Sequence, residues 1–158
     1  MYTRHFLPAI LMACMITPAN AAKPTGEWAV ADGSARVRVL PCKDALWGVI
    51  AWTKKPGTDK NNPDPTLRNR SVIGMPILLN MKQAEPNRWD GEVYNARDGK
   101  TYTANISLVS DDVLRVEGCV FGGLFCGSQD WTREAAQSDP AAKDSPPGKE
   151  ALPKEICP

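Results

Sequence analysis

The chain has 158 residues, of which 42% are hydrophobic and 23% are charged, and its formal net charge is +1. This length is typical of a single domain. A balanced charge lacks the electrostatic footprint of proteins that bind nucleic acid or an anionic membrane surface. We therefore expect one folded domain with no nucleic-acid partner.

The first 21 residues have the pattern of a secretory signal peptide. A short polar segment ending at His5 precedes an apolar run over 6–16, and Ala19-Asn20-Ala21 offers small residues for cleavage. Because the apolar run is too short to span a bilayer, we predict a protein that is periplasmic or secreted and not transmembrane. The alternative is lipidation at Cys14, within Leu11-Met12-Ala13-Cys14.

Cleavage near Ala21 removes Arg4 and the only histidine, His5, and leaves 18 basic residues against 18 acidic ones. A mature chain without histidine excludes Ser-His-Asp and Cys-His catalysis and every His-ligated metal site. We expect no enzyme activity, no cofactor and no metal. The remaining enzyme hypothesis is a pair of carboxylates, which no spacing in the sequence brings together; the candidates are Asp64, Asp90, Glu92 and Asp98.

Eight short segments are typical of β-strands, because they alternate between apolar and polar residues or are continuously apolar. They are 26–31, 35–40, 46–52, 76–82, 89–94, 100–109, 114–118 and 127–133. Asp32-Gly33 and Asp98-Gly99 are hairpin turn signals. The segment 46–52 is apolar on both faces, which predicts a strand buried on both sides or covered by a loop. The pattern predicts an all-β fold, an antiparallel barrel or sandwich of about eight strands.

Residues 53–70 form a long polar loop. Asn62 and Asp64 can each cap a short helical turn, because Pro63 and Pro65 follow them. The loop also carries oxygen ligands suited to calcium, without the glycine and distal glutamate of a helix-loop-helix site; these are Asp59, Asn61, Asn62 and Asp64. Arg68 and Arg70 can bind a carboxylate or a phosphate, or pair with Asp59 or Asp64 inside the loop.

Four cysteines remain after cleavage, and an even number in an exported chain predicts disulfides. Cys119 and Cys126 lie close enough in sequence to join a hairpin, and we favour that bond. Cys42 and Cys157 can form the other bond; a four-cysteine zinc site is the alternative, although no CxxC spacing supports it. We interpret 135–158 as a disordered, proline-rich tail and 22–134 as the folded domain.

Gly26-x-Trp28 on the first strand and Arg133 on the last resemble the signature of lipocalins and other calycins. In those barrels the tryptophan packs across the closed end and the arginine lies over its indole. A cation on a tryptophan face contributes about 0.5–2 kcal/mol where it is partly desolvated. The resemblance implies a single lipocalin-like β-barrel closed by Gly26, Trp28 and Arg133.

Residues 26–133 also resemble a bacterial family of exported proteins, domain of unknown function 2147. The shared motifs are Gly26-x-Trp28, Asn62-Pro63-Asp64-Pro65 with Leu67-Arg68, Gly74, Trp89-x-Gly91-x-Val93-Tyr94-Asn95, Asp98-Gly99-Lys100-x-Tyr102, Gly118-Cys119 and Trp131-Thr132-Arg133. The resemblance implies a lipocalin-like barrel without established enzyme activity. Members often carry a second cysteine five residues after the position of Cys42, where this chain has Trp47; Cys42 must then pair with Cys157 or stay free.

Two functions follow as hypotheses. The first is binding of a small hydrophobic or amphiphilic molecule inside the barrel, since a pocket needs a mostly apolar, aromatic wall. Its candidate lining is Trp52, Trp89, Tyr94, Tyr102, Ile106 and Trp131. The same aromatics can instead fill a narrow barrel, because eight strands permit either interior. The second hypothesis is a protein-interaction or stress module that acts through the 53–70 loop, with Asn62, Pro63, Asp64 and Arg68 as its motif and an unknown partner.

Overall fold

The computed structural model describes residues 23–120, 125–135 and 157. Its strands are β1 Gly26–Ala29, β2 Ala35–Cys42, β3 Ala45–Thr53, β4 Pro76–Glu85, β5 Arg88–Asn95, β6 Lys100–Ser110, β7 Val113–Val120 and β8 Phe125–Arg133. One 3-10 helix, Pro65–Leu67, lies in the long loop between β3 and β4. Each strand pairs antiparallel with the next, and β8 returns to β1, so the sheet is a closed eight-stranded barrel. This confirms the predicted fold class.

The tight turns form where the sequence predicts them. Gly33 has a φ of 61° and its N–H donates to the carbonyl of Val30 at 2.8 Å. Gly99 has a φ of 70° and donates to the carbonyl of Asn95 at 2.8 Å. Both backbones lie in the left-handed region that glycine enters without a steric penalty. The two hairpins thus set the register of the strands that flank them.

The predicted strand at 76–82 continues to Glu85, and a bulge divides it. Asn80 has a φ of 49°, and the pairing with β5 shifts between Leu79 and Lys82. A bulge adds one residue to a strand and reverses the faces of the residues that follow it. Leu78 and Met81 are therefore both fully buried in the core, although they lie three residues apart.

The barrel core is one cluster of buried side chains. Its members are Trp28, Val37, Val39, Leu78, Met81, Trp89, Ala104, Ile106, Leu108, Leu114, Val116 and Trp131. Cross-strand neighbours point to the same face of a sheet, so these residues define the inner face of every strand except β3, where the half-buried Leu46 packs against the cluster. The described residues contain no helix long and apolar enough to cross a membrane. The predicted signal peptide, the lipidation alternative at Cys14 and nearly all of the tail lie outside the described residues.

Two disulfides are present among the residues that the structure describes. Cys119 and Cys126 are direct partners across the β7–β8 hairpin, as the sequence predicts. Cys42 bonds to Cys157, which resolves the pairing that the sequence left open. A carboxylate oxygen of Glu117 and the sulfurs of Cys119 and Cys126 lie within 4.8 Å of one another, and these are atom types that bind metal ions. While the Cys119–Cys126 bond is intact, these two sulfurs are not thiolates, and the thiolate is the form that binds metals.

Candidate functional site

One end of the barrel is closed by Trp28 and Arg133. They are direct partners between β1 and β8, and the guanidinium carbon lies 4.1 Å from the centre of the indole. Arg133 also donates to the backbone carbonyls of Thr25 at 2.9 Å and Lys23 at 2.7 Å. The Trp28 Nε1 donates to the carbonyl of Pro24 at 2.8 Å. The chain that precedes β1 is thereby held against this end of the barrel.

Gly26 belongs to the same closure. Its φ is 126°, and a Cβ at this position would lie 2.9 Å from the Nη1 atom of Arg133. A Cβ here would require the Nη1 end of Arg133 to shift. The glycine is therefore required chiefly by the backbone conformation.

Three of the six predicted lining residues, Trp89, Ile106 and Trp131, lie in the part of the core cluster next to this closed end. We call this part the packed floor of the barrel. Ile106 is fully buried, Trp89 is 9% exposed and Trp131 is 2% exposed, and all three are in the core cluster. Trp89 and Ile106 are direct partners between β5 and β6. The structure thus brings these three together, with most of their surface packed against other core side chains.

Tyr102 lies on the inner face nearer the opposite end of the barrel. It pairs with Val93, which packs against the core, and it is half-buried. Its hydroxyl donates to the carboxylate of Asp98 in the β5–β6 turn. Burial of Tyr102 is incomplete because it lies close to the rim.

Trp52 does not line the interior, and this prediction was wrong. Its partner on β2 is Arg36. Arg36 lies two residues before the exposed Arg38, so both arginines are on the outer face of β2. The register between β2 and β3 shifts after Arg36, so Ala51 is an extra residue and Trp52 turns outward. The guanidinium of Arg36 lies 5.4 Å from the centre of the Trp52 ring, on the outside of the barrel.

Tyr94 also lies on the outer face, so its prediction as a lining residue was wrong. It follows Val93, which faces inward, and successive residues of a strand alternate between faces. Tyr94 is nevertheless 8% exposed, because the long loop packs over it. Its hydroxyl donates to Oδ1 of Asp59 at 2.7 Å and accepts from Nδ2 of Asn62 at 3.1 Å.

Asp59 is the centre of that outer network. It is fully buried and also accepts from Asn62 at 2.7 Å and from Arg70 at 2.8 Å, both through Oδ2. Burial opposes ionisation of Asp59, but the hydrogen bonds from Asn62, Tyr94 and Arg70 outweigh it and lower its pKa. Burial, with the hydrogen bond to Asp59, raises the pKa of Tyr94. The network fixes the loop to the barrel wall.

The remaining loop residues have structural roles. Asp64 caps the 3-10 helix by accepting from the N–H of Thr66 at 2.8 Å, and Pro65 follows it at the first helical position. Arg68 donates to the carbonyl of Asn62 at 2.8 Å. The nitrogen of Asn61 donates to the carbonyl of Arg97 at 2.8 Å. Pro63, which lies between Asn62 and Asp64 in the sequence, is exposed. The candidate calcium ligands therefore have separate roles. Asp64 caps the 3-10 helix, Asp59 and Asn62 belong to the buried network, and Asn61 binds the β5–β6 turn.

Three of the four candidate carboxylates for catalysis also have separate partners. Asp64 accepts from Thr66, Asp90 accepts from Arg88, and Asp98 accepts from Tyr102. The hydrogen bonds from Thr66 and from Tyr102 lower the pKa values of Asp64 and Asp98. A carboxyl group with a lowered pKa is ionised at neutral pH and is a poor general acid.

The half of the barrel opposite the closed end is open along β8. Ala29 and Thr132 are the last partners between β1 and β8, so 127–130 extend past β1 and pair with β7 alone among the described strands. Gln129 pairs with Val116 of the core cluster and so faces inward, yet it is exposed. An inward residue that solvent reaches indicates an interior that is not filled at this level.

Gly127 marks the same open space. It pairs with Gly118, which in turn pairs with Ala104 of the core cluster, so it lies on the inner face. A Cβ at Gly127 would meet nothing within 4 Å. At Gly91 on the opposite wall, a Cβ would lie 2.9 Å from the sulfur of Met81. The wall at β5 is therefore packed, and the wall at β8 is open.

Sequence reasoning missed Gln129, Gly127 and the burial of Asp59, although it included Asp59 as a possible partner of Arg70, and the structure shows that pair. The first two had a signal, because alternation along 127–133 places both on the face of Trp131. The burial of Asp59 had no signal, since its partner Tyr94 is 35 residues away and the contact depends on how the loop folds back.

Comparisons with known proteins agree with this architecture. Residues 26–133 match the family model described as "Uncharacterized protein conserved in bacteria (DUF2147)". A solved structure titled "Protein HP1028 from the human pathogen Helicobacter pylori belongs to the lipocalin family" superposes with a TM-score of 0.68 and 22% identity. The match covers 73% of this chain and 86% of that one, and at this identity it shows a shared fold. No curated protein matches the chain. By the extent of the family match, the chain belongs to the DUF2147 family and has a lipocalin-like barrel.

Proposed function

We propose that this protein is a binding protein, and not an enzyme, that holds a small hydrophobic or amphiphilic molecule in the open half of its barrel. The observation that carries the proposal is the empty space in front of Gly127 on the inner face of β8. Below that space lies an apolar floor that includes Trp131 and Ile106. A concave, mostly apolar site with a few polar groups is the usual form of a small-molecule pocket.

The polar groups at this site are few. Gln129 is inward and exposed, and Tyr102 is near the rim with its hydroxyl bonded to Asp98. An eight-stranded barrel has room for one small ligand when its side chains do not fill it. Gly127 leaves one position in this layer of the interior without a side chain, whereas a Cβ at its partner Gly118 would already lie 3.3 Å from Val93. This supports a site for one small molecule rather than for a peptide or a macromolecule.

We further propose that the protein acts outside the cytoplasm, in the periplasm or the medium. The two disulfides fit an exported protein, because such bonds persist in oxidising compartments. The signal-peptide pattern over 1–21 supports the same conclusion. Purification from the periplasm or the medium and determination of the N-terminal residue would test it; a mature chain that begins at Met1 would refute it.

Native mass spectrometry on the protein purified without detergent would test ligand binding. We expect extra mass that disappears on denaturation, or that appears after incubation with envelope lipid extract. The matched variants are Gly127→Leu and Ser128→Leu, because Gly127 faces inward and Ser128, its neighbour, faces outward with Glu117. Gly127→Leu should abolish the extra mass and Ser128→Leu should retain it. A bare mass under both conditions, or equal loss in both variants, would contradict an interior site.

The 53–70 loop supports a second candidate function, an interaction surface that needs no ligand cavity. Leu67 is 38% exposed at the end of the 3-10 helix, on a loop that the Asp59 network holds to the barrel. An exposed apolar side chain on a fixed loop is a common feature of recognition sites. Crosslinking of wild-type protein and of Leu67→Ser in the native envelope would test this function. A partner that is captured equally by both proteins would show that Leu67 is not part of the interaction surface.

A further inference from the structure

Trp131 carries a buried donor that has no partner among the described residues. Its side chain is 2% exposed, and its Nε1 is the buried side-chain nitrogen or oxygen in the described part of the chain for which no hydrogen bond is found. The indole of Trp28 provides the contrast, because its Nε1 donates to Pro24. Buried polar groups are almost always hydrogen-bonded, so an unpaired one requires an explanation, such as a ligand or an ordered water.

The position of Trp131 favours a ligand. Trp131 pairs with Leu114 in the packed floor, and Gln129 precedes it by two residues on the same inner face. Gln129 is exposed and belongs to the open half. Trp131 therefore lies at the boundary where the packed floor meets the open space, and a molecule that fills that space would lie next to this residue.

The charges around the site select the chemical class of the ligand. The cation nearest to Trp131 along β8 is Arg133, which already donates to the backbone carbonyls of Asp111, Thr25 and Lys23 and stacks on Trp28. A carboxylate buried beside Trp131 would find no uncommitted cation on β8, and an unpaired buried charge is strongly unfavourable. An uncharged acceptor satisfies the indole N–H without that cost.

We propose that Trp131 Nε1 is the hydrogen-bond donor for a single uncharged oxygen, such as that of a ketone, an ester or an alcohol, at the buried end of an otherwise apolar ligand. This inference rests on the proposed function, since it needs an occupied barrel. It adds that the ligand enters with a neutral polar group first and that a carboxylate is disfavoured at this buried end.

Displacement of an apolar fluorescent probe, N-phenyl-1-naphthylamine, would test it with three molecules of matched length: 2-undecanone, undecane and undecanoate. We expect the ketone to bind about tenfold more tightly than the other two, as for one buried hydrogen bond gained. Trp131→Phe should weaken ketone binding about five- to tenfold and leave undecane within about twofold. Trp89→Phe is the matched control, because Trp89 is another tryptophan of the same floor, and it should keep the preference for the ketone.

The outcomes separate the two proposals. If no molecule displaces the probe and the probe itself does not bind, the proposed function fails and this inference fails with it. If all three bind equally, or if Trp131→Phe weakens ketone and alkane alike, the barrel binds ligands but Trp131 is not their donor. Should Trp131→Phe not fold, the ¹⁵N-indole signal of Trp131 in the wild-type protein gives the answer. It should shift when 2-undecanone is added and not when undecane is added; a persistent contact with a bound water in the ketone complex would overturn the inference.

Discussion

Arg133 and Trp28 meet across the seam between the last strand and the first, with the guanidinium carbon 4.1 Å from the centre of the indole. The contact joins residues more than a hundred positions apart, and it includes the chain before β1 through the carbonyls of Lys23 and Thr25. A closed barrel requires its terminal strands to meet, and this pair lies where they do.

Trp28→Ala should therefore destabilise the protein by about 3–5 kcal/mol, as for loss of a large aromatic side chain from a core. A urea melt measures the change. Trp52→Ala is the control, because Trp52 is half-buried on the outer face beneath Arg36 and should cost only about 1 kcal/mol. A shift below about 1 kcal/mol for Trp28→Ala would mean that Trp28 does not hold the barrel closed.

The buried Asp59 should make stability depend on acid pH. Its pKa is lowered in the folded state, so the unfolded chain binds the proton more readily. The carboxylate therefore contributes stability above the ordinary aspartate pKa of about 3.9, and that contribution is lost as the pH falls below it.

Asp59→Asn should lower the free energy of unfolding at pH 7 by about 2 kcal/mol, because it leaves Arg70 without its carboxylate. Below about pH 4 the difference from wild type should shrink. Asp44→Asn is the control; Asp44 pairs with Lys82 in solvent, and its loss should change little. A pH-independent difference for Asp59→Asn would show that its charge is not what stabilises the loop.

Gly99 is required for contact between the β5–β6 turn and the long loop. A Cβ at this position would lie 1.9 Å from the carbonyl oxygen of Asn61, and its φ is 70°. Gly99→Ala should cost about 2–4 kcal/mol, from backbone strain and the displaced loop together.

Two other glycines separate these causes in thermal melts. Gly33 has a φ of 61° but its nearest neighbour is 3.9 Å away, so Gly33→Ala should show the strain alone, about 1–2 kcal/mol. Gly57 has neither constraint, and Gly57→Ala should be neutral or slightly stabilising. Equal losses of stability in Gly99→Ala and Gly33→Ala would show that displacing the long loop costs no free energy.

The two disulfides should differ in their contributions. Cys42–Cys157 spans a sequence separation of 115, and Cys119–Cys126 spans 7. If loop-closure entropy dominates, replacing both members of the long pair by alanine should cost about 5 kcal/mol, against about 2.5 kcal/mol for the short pair. Guanidinium melts of the two double variants measure this difference. The reverse order would show that strain or structure in the unfolded chain dominates.

The sequence by itself determined the all-β class, the approximate strands and the turns. These features depend on local alternation and on turn residues, and each is written within a few consecutive positions. The closing pair was also recognisable, but only through the resemblance of Gly26-x-Trp28 and Arg133 to the lipocalin signature. The outward direction of Tyr94 was present in the sequence as well, since it alternates with Trp89 and Val93.

Tertiary structure alone decided the rest. Trp52 shares the parity of Leu46 and Ile50, and only the extra residue in β3 turns it outward. Asp59 is a buried carboxylate because the loop folds back onto Tyr94. The bond between Cys42 and Cys157 joins residues that are 115 positions apart in the sequence. The space in front of Gly127 depends on where β1 ends relative to β8. Alternation shows which residues share a face, but bulges, long-range contacts and empty space arise only when strands distant in sequence are placed side by side.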